Sequence, residues 1–314
     1  MNSSTSVDPG ATVQATPHGS GFRSPIKLLG GWGWTLLTAL VVGFSIALMI
    51  RSFQRWSLED VDAYWNAALR LRSGAPLYST AHGPDAADVY RYSPWFAVAW
   101  VPLTYLPRIV VGIGWGLVLV IASLLAVAPV MQRRRLSSTL AGILFGSMLL
   151  WTASRGNVQP LLVLALIRGI PSRSGPLWVA LAASLKAVPV LYLLPDAFAG
   201  RWRRVTIGVA LTAVLIVPMP LLGWRLDAAA AGASDSLYSH FGTAVGAIAT
   251  VAAFIGAVAV MRVRPQHAWR AASVAAVFAL PRLLFYDLTF LLVGSSVSAA
   301  LSSAPSVEPE PAVE

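Results

Sequence analysis

Residues 31–50 read GWGWTLLTALVVGFSIALMI, and soon afterwards Asp60 to Tyr78 read DVDAYWNAALRLRSGAPLY. The first run is uncharged and long enough to cross a hydrocarbon core about 30 Å thick as an α-helix. The second is acidic at its start, aromatic next and basic at its end. Its neighbourhood places Leu58, Val61, Trp65, Ala68 and Leu69 on one helical face, as in a helix lying along a membrane surface. A spanning helix followed by a surface helix sets the expected class: all-α and polytopic.

Composition agrees. The chain is 56% hydrophobic and 11% charged, where soluble domains carry roughly a quarter of charged residues. Its formal net charge is +10, but the basic residues stand in short clusters between apolar runs. Such clusters read as topology signals at a cytoplasmic face, not as a nucleic-acid surface. There is no cysteine, so disulfides and thiolate chemistry are excluded. His18, His82, His240 and His267 have no metal-ligand spacing. No Walker motif, nucleophile elbow or dinucleotide fingerprint is present, and no cofactor is expected. Residues 1–28 read as a disordered cytoplasmic tail and residues 302–314 as a disordered Pro/Glu-rich tail. The N-terminal stretch lacks the charge and apolar pattern of a cleaved signal peptide. Residues 29–301 form the membrane domain, with an outer loop over 52–92.

The arginines order the crossings. Arg23/Lys27, Arg133 to Arg135, Arg168/Arg173, Arg201/Arg203/Arg204 and Arg262/Arg264 are all cytoplasmic if an even number of crossings separates each pair. Ser93 to Pro107 is short and proline-rich, and reads as a re-entrant or surface segment, with Ile109 to Met131 returning. Ser137–Ala153 and Val158–Ile170 then go out and back, as do Gly175–Leu185 and Ala187–Phe198. Val205–Leu222 pairs with Phe241–Met261, and Ala268–Leu280 with Leu283–Ala300. This makes ten crossings, unless Gly175 to Phe198 is one broken helix. Asp60, Asp62, Arg91, Arg155, Asn157, Gln159, Lys186, Arg282 and Asp287 then converge at one outer polar cavity, although the arginine clusters were placed without them.

Each polar group has a bland reading beside a chemical one. Asp60 either caps the surface helix or acts as a general base, with Asp62 the second choice. Lys186, one of two lysines, either snorkels or faces an anion such as a phosphate. Arg155-Gly156-Asn157-Val158-Gln159-Pro160 is either a plain turn or a site for phosphate oxygens and sugar hydroxyls. Tyr90-Arg91-Tyr92-Ser93-Pro94-Trp95 is an interfacial aromatic belt or a stacking surface for sugar rings. Arg282 and Asp287, flanking Tyr286, are an ion pair joining two helices or part of the site.

In order and spacing, these pieces resemble the polyprenyl-phosphate-mannose-dependent mannosyltransferases of glycosyltransferase family 87, in the GT-C class. The resemblance runs over Trp32 to Leu301. It is carried by Asp60-Val61-Asp62-Ala63-Tyr64, Gly74-Ala75-Pro76-Leu77-Tyr78, Tyr90-Arg91-Tyr92-Ser93-Pro94 and Pro102-Leu103. Further along come Gly156-Asn157-Val158-Gln159, Leu185-Lys186-Ala187-Val188-Pro189, and Pro281 with Tyr286-Asp287. Arg282 stands where the family pattern has a His. The resemblance implies a GT-C fold with an extracytoplasmic cavity, Asp60 as base, and a polyprenyl-phosphate-sugar donor. It also implies a glycolipid or envelope-glycan acceptor, with Tyr64, Arg91, Tyr92, Arg155, Asn157, Gln159, Lys186, Arg282, Tyr286 and Asp287 binding substrate. Rival readings are a lipid-linked sugar transporter and an inactive accessory subunit.

Overall fold

Apolar runs rich in Ala, Leu, Val and Gly, bounded by prolines or arginines, fold as helices throughout the described residues. The computed structural model describes residues 31–54, 57–78, 89–133, 135–224, 241–280 and 282–303. The expected tail at 1–28, residues 304–314 of the expected tail at 302–314, and Pro281 lie outside these. The chain divides into residues 1–40 and 41–314. The first unit's described part is the opening of helix α1 (Gly31–Gln54), which continues into the second.

The second unit continues with α2 (Glu59–Arg72), α3 (Pro94–Trp100), a 3-10 turn at Val101–Tyr105, α4 (Arg108–Met131) and α5 (Leu136–Ser154). Next come α6 (Gln159–Gly169), α7 (Gly175–Leu185), a 3-10 segment Val188–Leu193, α8 (Leu194–Phe198), α9 (Trp202–Ile216) and α10 (Pro218–Leu221). The last are α11 (Thr243–Val263), α12 (Ala268–Phe278), a 3-10 segment Phe285–Phe290 and α13 (Leu291–Ser303). Helix α13 therefore carries Ser302 and Ser303, which the sequence assigned to the tail. No strand occurs among the described residues.

Among the described residues, six helices are long and apolar enough to cross a membrane: Trp32–Gln54, Arg108–Met131, Leu136–Ser154, Trp202–Leu221, Ala244–Val263 and Phe285–Ser302. The chain is thus built as an α-helical polytopic membrane protein. Helix α4 shows why. Its inward side buries Val111, Leu119, Ala122, Ala126 and Val130, while its outward side exposes Ile113, Leu117, Ile121, Leu124 and Leu125. A helix apolar on every side is matched to lipid, not to water.

The prolines divide Ser93 to Pro107 into α3 and its 3-10 turn, each too short to cross a bilayer. Pro94 sits in the first turn of α3, where its missing N–H is not needed. Between Gly175 and Phe198 the chain reverses instead of continuing as one helix. Arg204, at the start of α9, donates to the carbonyls of Ile170 and Ser172 and to the Asp196 carboxylate. The residues entering α7 and those leaving α8 therefore meet at one arginine, and Lys186 lies at the far tip of the hairpin. With 11 residues, α7 is about 16 Å long at 1.5 Å per residue, near half of a ~30 Å hydrocarbon core.

Helix α2 seats its N-terminus on the end of α5. The Leu58 N–H donates to the Ser154 carbonyl at 3.4 Å, and the Asp60 N–H to the Arg155 carbonyl at 3.0 Å. Gly156 closes this junction with φ at +78°, and a Cβ there would stand 2.5 Å from Val61 Cγ2. Gly156→Ala is therefore expected to lower the thermal midpoint of the detergent-solubilised protein. The left-handed conformation alone costs about 1–2 kcal/mol, and the Val61 clash adds to it. An unchanged midpoint would show that the junction yields freely.

Candidate functional site

Helix α2 buries Val61, Ala63, Tyr64, Ala67 and Ala68. Leu58, Val61 and Ala68 of the expected face are buried, but Trp65 and Leu69 remain only partly so, and the buried face is turned towards Ala63, Tyr64 and Ala67. The cause is the aromatic cluster beneath it. The Tyr64 ring meets Tyr92, Phe96, Trp100 and Trp115 at centroid distances of 5.0–6.2 Å. Its hydroxyl donates to the Tyr92 hydroxyl and accepts the Val158 N–H, both at 3.3 Å. Tyr64 is fully buried, so it supports the site from below. Tyr90 is buried too and donates to the Ser93 carbonyl at 2.6 Å, so it belongs to the core and not to an interfacial belt. Tyr92 is half-buried, and Arg91 donates to the Val89 carbonyl.

Asp60 does not cap α2, whose N-terminus has no side-chain cap. Its Oδ2 instead accepts from Asn157 Nδ2 at 3.1 Å. Asn157 Oδ1 accepts the Gln159 N–H at 2.9 Å, and Gln159 Nε2 donates to Thr289 Oγ1 at 3.1 Å. The turn after α5 therefore does more than reverse the chain: it brings the 3-10 segment Phe285–Phe290 into line with Asp60. Gln159 is fully buried, with Oε1 unpaired.

Lys186 is held in extended backbone between α7 and the following 3-10 segment. It neither snorkels nor stands alone: Nζ lies 2.6 Å from Asp287 Oδ1 and 4.9 Å from the centre of the Tyr286 ring. Asp287 Oδ2 accepts the Leu284 N–H at 3.0 Å, which fixes the carboxylate. Arg282 lies near enough to Tyr286 to influence it electrostatically. Ser93 ties the start of α3 to α7 and α9: its hydroxyl lies 2.7 Å from the Ser184 carbonyl and 3.1 Å from the Leu215 carbonyl. Trp95 adds a bond from Nε1 to Ser184 Oγ at 2.9 Å.

Glu59, Asp60, Asp62, Asp196 and Asp287 are the acidic residues among those described. Glu59 pairs with Arg155 at 2.8 Å, Asp62 with Arg108, Asp196 with Arg201 and Arg204, and Asp287 with Lys186. Asp60 alone among them is in no ion pair, and its side-chain partner is the neutral amide of Asn157. Burial pushes its carboxyl above the ordinary 3.8; the Asn157 bond and the charges of Lys186 and Arg155 pull it back, and Glu59 adds to the rise. The side chain is half-buried and retains accessible surface. A carboxylate in this state accepts a proton more readily than a solvated aspartate.

Sequence reasoning did not find Glu59, Arg108, Thr289, Asp196 or Trp151 as partners. Arg155 stacks over the Trp151 ring at 4.5 Å. Adjacency to Asp60 was a signal for Glu59; the other pairings depend on tertiary packing. Asp62, the second choice as base, is held by Arg108. No three His, Asp or Glu side chains gather as a metal site would require, among the described residues. Comparison with protein-family models, curated proteins and solved structures finds no match.

Two outcomes are expected from unfolding in detergent. Because its folded value is raised, Asp60 disfavours the fold above that value, and the effect vanishes below the ordinary 3.8. Asp60→Asn should therefore melt above wild type at pH 7, with the gap closing as pH falls towards 4. A gap that widens on acidification would contradict the burial effect. Asp287→Ala should cost about 3–5 kcal/mol by leaving Lys186 unpaired, and Lys186→Met in the same chain should recover much of it. Additive losses would show that the pair is not coupled.

Proposed function

We propose that this chain is a membrane glycosyltransferase of GT-C type. It moves a sugar, mannose by the family resemblance, from a polyprenyl-phosphate donor to a glycolipid or envelope-glycan acceptor. The observation that carries this reading is Asp60: half-buried, raised in pKa, bonded to an amide and within electrostatic range of two cations.

In the proposed step the acceptor hydroxyl gives its proton to the free oxygen of Asp60. Its own oxygen bonds to the anomeric carbon as the bond from that carbon to the phosphate oxygen breaks. The electron pair leaves with the lipid phosphate, which needs charge stabilisation and no proton donor. Lys186 and Arg155 supply positive charge, tempered by Asp287 and Glu59. A single displacement inverts the anomeric carbon, with base and leaving group on opposite faces.

The proposed topology counts ten crossings: the six long helices, the shorter Gln159–Gly169, Gly175–Leu185 and Val188–Phe198, and α12. With the arginine clusters inside, the site opens on the extracytoplasmic side of the cell membrane. Short helices ending at Gln159 and Lys186 also favour a second reading, transport of a lipid-linked sugar, since transporters place broken helices around a midplane site.

The experiment is transfer from radiolabelled polyprenyl-phosphate-mannose to membrane lipids by purified protein. Asp60→Asn should lower turnover by about 10²–10⁴ while donor binding survives. Equal turnover in both proteins sinks the base assignment. Donor binding without transfer by wild type, accompanied by movement of the lipid across vesicle membranes, would favour transport.

A further inference from the structure

We propose that Asn157 is the positioning residue for Asp60: its side-chain amide holds one carboxylate oxygen and leaves the other to the incoming hydroxyl. The inference rests on the reading of Asp60 as the base. Asn157 is itself fixed at two points. Its backbone N–H donates to the Thr152 carbonyl at 3.0 Å, and its Oδ1 accepts the Gln159 N–H at 2.9 Å. The second bond settles the amide orientation. Only an acceptor can face a backbone donor, so Nδ2 is the atom turned to Asp60, 3.1 Å from Oδ2.

No other hydrogen bond reaches the Asp60 carboxylate among the described residues. The Asp60 backbone is pinned separately through its N–H to the Arg155 carbonyl, so Asn157 governs the side chain and not the helix. A neutral donor suits a base. A cation in contact, as Arg108 is with Asp62, would hold the carboxylate and weaken its basicity. An amide orients the group while leaving burial to raise its proton affinity, which the Asn157 bond moderates in turn.

The test compares Asn157→Ser and Asn157→Ala in the full chain, in vesicles. Serine can still accept the Gln159 N–H two residues on, as the shorter hydroxyl counterpart of the asparagine turn, but is too short to hold Asp60. Transfer from polyprenyl-phosphate-mannose is followed against pH, and the Asp60 carboxyl is titrated by infrared difference against Asp60→Asn. Both variants should lose about ten-fold or more in kcat/KM, with the acid limb and the infrared titration moved to higher pH. The serine variant should melt near wild type. An acid limb and infrared titration unmoved in Asn157→Ser overturn the proposal, whatever the rate does. If wild type transfers no sugar, the transferase reading fails, and the infrared titration alone still decides whether Asn157 sets this carboxyl.

Discussion

The seating of α2 on the end of α5 is the constraint on which the site depends. Two backbone hydrogen bonds, from Leu58 and Asp60 to the carbonyls of Ser154 and Arg155, fix where the helix begins. They bring the positive end of one helix against the negative end of another. Leu58 takes φ of +49° to make the turn, a conformation that costs a branched residue about 1–2 kcal/mol. Its anchored carbonyl, which accepts from Val61 and Asp62, holds it there. Asp60 thus reaches Asn157 through the backbone's own geometry.

Among the described residues, the acidic groups at this end of the bundle stand in matched couples with one exception. Arg155 with Glu59, Arg108 with Asp62 and Lys186 with Asp287 each neutralise themselves. Taking an ion out of water is expensive, and pairing is the usual answer. Asp60 is given an amide instead, so its burial is only partly offset. The cluster at the other end shows the opposite design: Asp196 is buried under Arg201 and Arg204, of which Arg204 also binds the carbonyls of Ile170 and Ser172, and it serves as a staple.

Most of this was legible one residue at a time, and little of it in pairs. Long apolar runs gave helices such as Ile109 to Met131 because hydropathy is local, and the prolines marked the break after Ser93. The arginine parity put Lys186 at a hairpin tip, and Arg204 holds the base of that hairpin closed. The family resemblance and the charge argument together selected Asp60, Asn157, Lys186 and Asp287, which do come together. Which acid meets which base was not readable. Lys186 and Asp287 are 101 positions apart, and such separations are set by helix packing. The buried face of α2 was misjudged for the same reason, because its aromatic floor comes from α3 and α4.

That separation has a consequence for how the chain enters the membrane. Helix α7 is short for a crossing, and its tip carries an ammonium group that by itself would cost about 2.5–3.5 kcal/mol at the centre of a bilayer. Its carboxylate partner is synthesised roughly a hundred residues later. Until then the hairpin is held by Asp196 and Arg204 at its base while its tip lacks its counter-ion. Integration of α7 and α8 is therefore completed only when the Phe285–Phe290 segment arrives to supply Asp287.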